Sequence, residues 1–221
     1  MQRDKRMEML LLGILLLQGA VSILLYPRLP ERVPSHWNLH GQVDGWMKPS
    51  AAILAWSGIS LGVYALFWFI PALDPKRKIT ATQKAYQGLR LGSQVFFFLL
   101  FGIAMAAALG IPLSMDRLVP ALISLLIVVI GNYLGKIRPN YFMGIRTPWT
   151  LEDPVVWQRT HRLGGILWML AGLVGLAGSW AGGTTATLML FVPLMAATLF
   201  VVIYSWFVFR QLHAQDPNHQ Q

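Results

Sequence analysis

Six apolar blocks, each free of Asp, Glu, Lys and Arg, decide what this chain can fold into. They run from Met9 to Tyr26, Ala51 to Ala72, Leu91 to Ile111, Leu118 to Leu134, Leu163 to Trp180 and Ala186 to Phe209. Each is close to the length that crosses a bilayer core of about 30 Å. Inside hydrocarbon a segment must satisfy its own backbone N–H and C=O groups, so each block predicts a transmembrane helix. The composition agrees: 55% of the residues are hydrophobic and 12% charged, against about 25% charged in a soluble domain. A soluble enzyme, a disordered tail and a nucleic-acid-binding domain are excluded, although a net charge of +9 in a soluble protein would point to nucleic acid. With no cysteine there is no disulfide, thiolate nucleophile or thiolate metal site.

The first block follows Arg3, Lys5 and Arg6, as a signal peptide would. Its apolar stretch is long for one, and Tyr26-Pro27-Arg28 is not a small-residue cleavage site, so it reads as a retained helix. Fourteen of the 18 Lys and Arg residues fall in the alternate segments that include both termini. Basic residues gather in cytoplasmic loops, which predicts that both termini are cytoplasmic. The chain is thus expected to be an all-α membrane protein, one compact six-helix bundle over 1–221. Residues 27–50 would form an extracytoplasmic Pro/Gly-rich loop, 73–90 a basic cytoplasmic loop and 135–162 a second cytoplasmic loop with a short interfacial helix. The cluster Lys76, Arg77, Lys78, Lys84 and Arg90 reads as a topology signal attracted to anionic lipid.

No ionisable side chain lies well inside a block, which argues against an ion-coupled transporter. Gln18, Gln94 and Asn132 are the main amides there, suited to interhelical hydrogen bonds. Four GxxxG pairs (Gly58 and Gly62, Gly88 and Gly92, Gly131 and Gly135, Gly178 and Gly182) mark close helix packing, within one chain or in a homodimer.

In the outer loop, Pro27, Pro30, Pro34 and Pro49 oppose helix. Gly41 and Asp44-Gly45 are turn signals, so Ser35–Asn38 and Gln42–Trp46 suit a small hairpin. Trp37 and Trp46 suit the membrane interface. His36, His40 and Asp44 have a spacing that would bind zinc on a helix, but the prolines and glycines oppose that helix and no HExxH glutamate is present. The alternative is that His36 and Asp44 hydrogen-bond to fix the loop. In the inner loop, Thr150 can cap a short helix with Asp153 at its third position and Pro154 in its first turn. That helix would carry Val155, Val156, Trp157, Arg159 and His161 along the interface.

The run Gly131-Asn132-Tyr133-Leu134, Ile137-Arg138-Pro139-Asn140-Tyr141-Phe142, Gly144-Ile145-Arg146-Thr147-Pro148-Trp149-Thr150-Leu151, Val156-Trp157 and Thr160-His161-Arg162 closely resembles the signature of the SdpI family of bacterial membrane proteins. Leu29-Pro30, Val33-Pro34, His36-Trp37-Asn38, Gly41 and Asp44-Gly45-Trp46 resemble the uncharacterised domain that often precedes it. The resemblance implies immunity to a secreted peptide toxin that collapses the membrane potential. It also implies a receptor role, in which the toxin-bound form holds a transcriptional repressor at the membrane. Neither an enzyme nor a cofactor is implied, and the partners would be membrane lipid, toxin and repressor, without direct nucleic-acid binding. The inner functional surface would include Asn132, Arg138, Asn140, Arg146, Thr147, Trp149, Trp157, Arg159, His161 and Arg162, with arginine forks and aromatic anchors for a partner. The opposing reading is that these residues fold the loop, with Asn140, Arg146 and Thr147 satisfying its backbone. The outer ligand residues would be His36, Trp37, Asn38, Asp44 and Trp46. Competing classes are a metal-dependent membrane enzyme using His36, His40 and Asp44, and a small-molecule or peptide exporter.

Overall fold

The computed structural model describes residues 4–74 and 83–214. Among them, six helices are long and apolar enough to cross a membrane: α1 (Lys5–Leu25), α2 (Pro49–Leu73), α3 (Gln83–Ala108), α4 (Met115–Leu134), α6 (Pro154–Gly178) and α7 (Gly183–His213). A five-residue helix α5 (Pro148–Glu152) precedes α6. After a 3-10 turn at Tyr26–Arg28, strands β1 (Val33–Trp37) and β2 (Val43–Met47) form an antiparallel hairpin between α1 and α2. Lys76, Arg77 and Lys78 lie outside the described residues.

The helices form two trios. α1, α2 and α3 touch one another, α6 packs along both α4 and α7, and α3 meets α4 where the trios join. The hairpin and the α6–α7 turn lie at one end of the bundle. The signature loop 135–147 lies at the other.

The second trio is held by backbone proximity. A Cβ on Gly165 would lie 2.6 Å from the carbonyl oxygen of Gly131, and one on Gly131 would lie 2.8 Å from that of Gly165. On Gly172 it would lie 2.8 Å from the Ser124 carbonyl oxygen. Gly88 sits under the Tyr133 ring and Gly92 against Val129, joining the trios. The other two GxxxG pairs behave differently. Gly58 and Gly62 have no neighbour within 4 Å, and Gly182 falls in the turn after α6, so its spacing from Gly178 is not helical. Gly165→Val should therefore lower the thermal midpoint in detergent by the equivalent of at least about 1–3 kcal/mol, the usual cost of overpacking. Gly58→Ala should leave it unchanged or raise it. Equal midpoints for the two variants would refute this assignment of faces.

The first trio has a polar interior. The Gln18 Nε2 donates to the Trp56 carbonyl (3.2 Å) and its Oε1 accepts from Ser60 Oγ (2.8 Å), joining α1 to α2. Gln94 is equally buried, but its Nε2 has no partner among the described residues. Asn132, expected to bond between helices, is exposed and, among the described residues, accepts from Lys136 Nζ on its own segment, at 3.3 Å.

Closer to the signature-loop end, Arg90 reaches Glu8 with both terminal nitrogens, Nη1 to Oε1 at 2.6 Å and Nη2 to Oε2 at 3.1 Å. Tyr64 donates to Glu8 Oε2 (3.0 Å), and the Arg90 guanidinium lies 5.8 Å from the Tyr64 ring and 5.9 Å from the Tyr86 ring. Arg90 is only 4% exposed. For Arg90 this differs from the expectation of a basic loop over 73–90 that serves as a topology signal attracted to anionic lipid. α3 begins at Gln83, so Arg90 lies two turns inside a helix, where burial demands an ionic partner.

Candidate functional site

The two motif regions occupy opposite ends of the bundle. At the hairpin end, β1 and β2 pair Val33 with Met47, Pro34 with Trp46, His36 with Gly45 and Trp37 with Val43, with register shifts on both sides of His36. The Asn38 side chain holds the turn: its Oδ1 accepts from the backbone N–H groups of His40 (2.9 Å) and Gln42 (3.1 Å). Gly41 has φ +73° there, a region open to glycine. His36 Nδ1 meets Asp44 Oδ1 at 2.5 Å across the hairpin, so these two side chains bind each other. His40 does not join them, and among the described residues no three His, Cys, Asp or Glu come together to hold a metal.

β1 fixes the hairpin to the membrane helices. Val33 is fully buried in a cluster with Ala52 and Ala108, while Trp37 packs with Phe101, Ala104, Met105 and Trp56. Trp46 points the other way and is 54% exposed. Asp116, in the first turn of α4, accepts from the Gly183 N–H through Oδ2 at 3.0 Å. It also lies against Gly41, so the hairpin and the starts of α4 and α7 converge on one carboxylate.

At the other end the signature residues divide into inward and outward groups. Asn140 is 1% exposed; its Oδ1 accepts from Phe142 N (2.8 Å) and Met143 N (2.7 Å), and its Nδ2 donates to the carbonyls of Arg138 and Met143. Trp157 Nε1 donates to the Ile137 carbonyl at 2.8 Å. His161 stacks on Trp157 with ring centroids 3.9 Å apart. Its Nδ1 donates to the Trp157 carbonyl (2.8 Å) and its Nε2 accepts from the Ile145 N–H (2.9 Å), which defines a neutral imidazole. Gly144, at φ +107°, passes directly over His161 where a Cβ would collide with Nε2. Asn140, Trp157 and His161 therefore hold the loop together from within and present nothing to a partner. Outside remain Asn132, Arg138, Arg146, Arg159 and Arg162, all exposed. Arg146 also closes the loop by donating to the Tyr141 carbonyl at 2.5 Å.

The helix starts differ from the sequence expectation, which placed one cap at Thr150. Thr147 caps α5 in a reciprocal capping box with Thr150, and Asp153 caps α6 through the N–H groups of Val155 and Val156. Each cap is followed directly by proline at the first helical position, as the missing N–H favours. Residues Val155 to His161 are thus the first two turns of the fifth long helix. The short helix is α5, and Trp149 ties it to α7 by donating to Ser205 Oγ at 2.5 Å.

Residues 136–205 match the SdpI/YfhL protein family, and residues 13–61 match a domain of unknown function, DUF1648. The SdpI/YfhL segment opens at the signature loop and closes at Ser205, the residue that receives the Trp149 indole. The DUF1648 segment takes in most of α1, the whole hairpin and half of α2. Over 203 residues the chain is 25% identical to the immunity protein SdpI of Bacillus subtilis (strain 168), covering 90% of this chain and 94% of that protein. No solved structure matches.

Sequence reasoning missed Glu8, Asp116 and Ser205, and read Arg90 as a topology charge. Glu8 and Arg90 sit one residue outside their apolar blocks, and that flanking position on both α1 and α3 was the available signal.

Proposed function

We propose that this chain is a multi-pass membrane immunity protein protecting its cell against a secreted, membrane-active peptide toxin. The observation that carries this reading is the likeness to an immunity protein over nine-tenths of the chain. The hairpin end would face outward and the signature loop and both termini inward, in keeping with the distribution of Lys and Arg. His36, Trp37, Asn38, Asp44 and Trp46 would then belong to the side from which toxin arrives. The exposed arginines of the signature loop would offer carboxylate-matching forks to a cytoplasmic repressor.

The test is membrane potential in toxin-sensitive cells expressing the protein during toxin challenge, with His36→Ala and Arg146→Ala at matched expression. Wild type should preserve the potential. His36→Ala should weaken protection without unfolding the protein, because an exposed pair is worth at most about 1 kcal/mol. Arg146→Ala should protect normally and lose repressor capture. Depolarisation despite well-expressed wild type would refute immunity.

A further inference from the structure

Between the trios, under the hairpin, lies a cavity of about 380 Å³. Its walls come from β1, α2, α3, α4 and α7, so neither trio forms it alone. Leu100, Val119 and Ile123 make an apolar wall, Trp37 and Trp56 contribute indoles, and Asp116 lines the same space. Only one oxygen of that carboxylate is committed. Oδ2 accepts from Gly183, whereas Oδ1 has no hydrogen-bond partner among the described residues. The other titratable group on the wall, His36, is engaged by Asp44. The neighbouring Arg117 is exposed, lies against Gly182 and is not part of the wall.

The volume falls within the range of about 300–1,000 Å³ typical of ligand sites, whose few polar groups set specificity. A carboxylate with a spare oxygen accepts a charge-assisted hydrogen bond, and indoles also favour cations. We infer that this cavity is a binding site for an apolar peptide segment carrying one cationic side chain, its body against Leu100, Val119 and Ile123 and its ammonium or guanidinium at Asp116 Oδ1. This deepens the immunity reading and rests on it for the ligand being a peptide.

The experiment uses the full-length protein in phosphatidylcholine nanodiscs. The probe is a short synthetic Leu/Ala peptide with one lysine and a photoreactive leucine, beside a twin with glutamate for lysine. The lysine peptide should label Val119, Ile123 or Phe191. Ile123→Trp, which fills the cavity and leaves no room for the apolar body of the peptide, should cut labelling about tenfold or more, a change of about 1.4 kcal/mol. Asp116→Asn keeps the volume and the Gly183 contact, and should erase the preference for lysine over glutamate. It decides the matter should Ile123→Trp melt early. Labelling elsewhere, indifference to both substitutions, or equal labelling by the twins would overturn the site. A photoreactive phosphatidylcholine that labels the same residues and is not displaced by the lysine peptide would overturn it in favour of a lipid tail.

The same variants in the toxin challenge separate the two claims. Protection by wild type with an unlabelled cavity rejects the site and keeps immunity. A labelled cavity without protection rejects immunity and keeps the site.

Discussion

Glu8→Ala should destabilise the protein by about 3–5 kcal/mol, the range for removing one partner of a buried ion pair. The loss comes from the residue left behind. Arg90, 4% exposed and deprived of its bidentate carboxylate, would retain, among the described residues, Gln87 Oε1 (3.1 Å) and two aromatic rings for its charge. A guanidinium cannot escape by deprotonation. The double variant Glu8→Met with Arg90→Met removes both charges and should recover most of the stability, since apolar replacement of a buried pair is often neutral or better. Thermal midpoints in detergent give all the values. A double variant no more stable than Glu8→Ala would show that the two residues are not a coupled pair.

His161→Ala should cost a comparable amount, about 3–5 kcal/mol, and should release the signature loop. Three losses add. The buried Ile145 N–H would lose its acceptor, at about 1–3 kcal/mol. The Trp157 stack would lose one ring, at about 0.5–1.5 kcal/mol. A void would open beneath Gly144. Trypsin cleavage after the exposed Arg146 should accelerate, whereas Arg159, inside α6, should stay protected. His161→Gln offers an oxygen to the Ile145 N–H and should rescue part of both effects. An unchanged midpoint together with an unchanged cleavage rate would remove His161 from its role as the loop's internal post.

The long apolar blocks made the six helices legible because burial in lipid leaves its mark residue by residue along the chain. The hairpin was legible for a local reason as well: the prolines barred helix and Gly41 placed the turn, whereas Asp44-Gly45, read as a turn signal, lies inside β2. Tertiary pairing was harder to read. Glu8 and Arg90 are 82 positions apart, and a charge just outside an apolar block looks the same whether it enters water or a neighbouring helix. The signature loop showed the same ambiguity in another form. Aromatics and arginines interleaved in sequence suggested one outward surface, but Trp157 and His161 lie four apart on α6 and turn inward together. Helix starts were blurred by two caps, Thr147 and Asp153, each followed by proline, and the sequence reading placed a single cap between them. Glycine spacing marked real seams where a partner helix exists, as at Gly88, Gly92 and Gly131, and marked open space at Gly58 and Gly62.

The partition of polar groups between the trios bears on how the protein is made. Among the described residues, the partners of the Arg90 side chain (Glu8, Tyr64, Tyr86 and Gln87) all precede it in the chain. By the time the translating ribosome delivers α3 to the bilayer, the carboxylate, phenols and amide that receive this charge are already there. The most costly cation in the first trio need not wait for the second half of the polypeptide. The later helices, joined chiefly through glycines and backbone atoms, can assemble against a charge-balanced template.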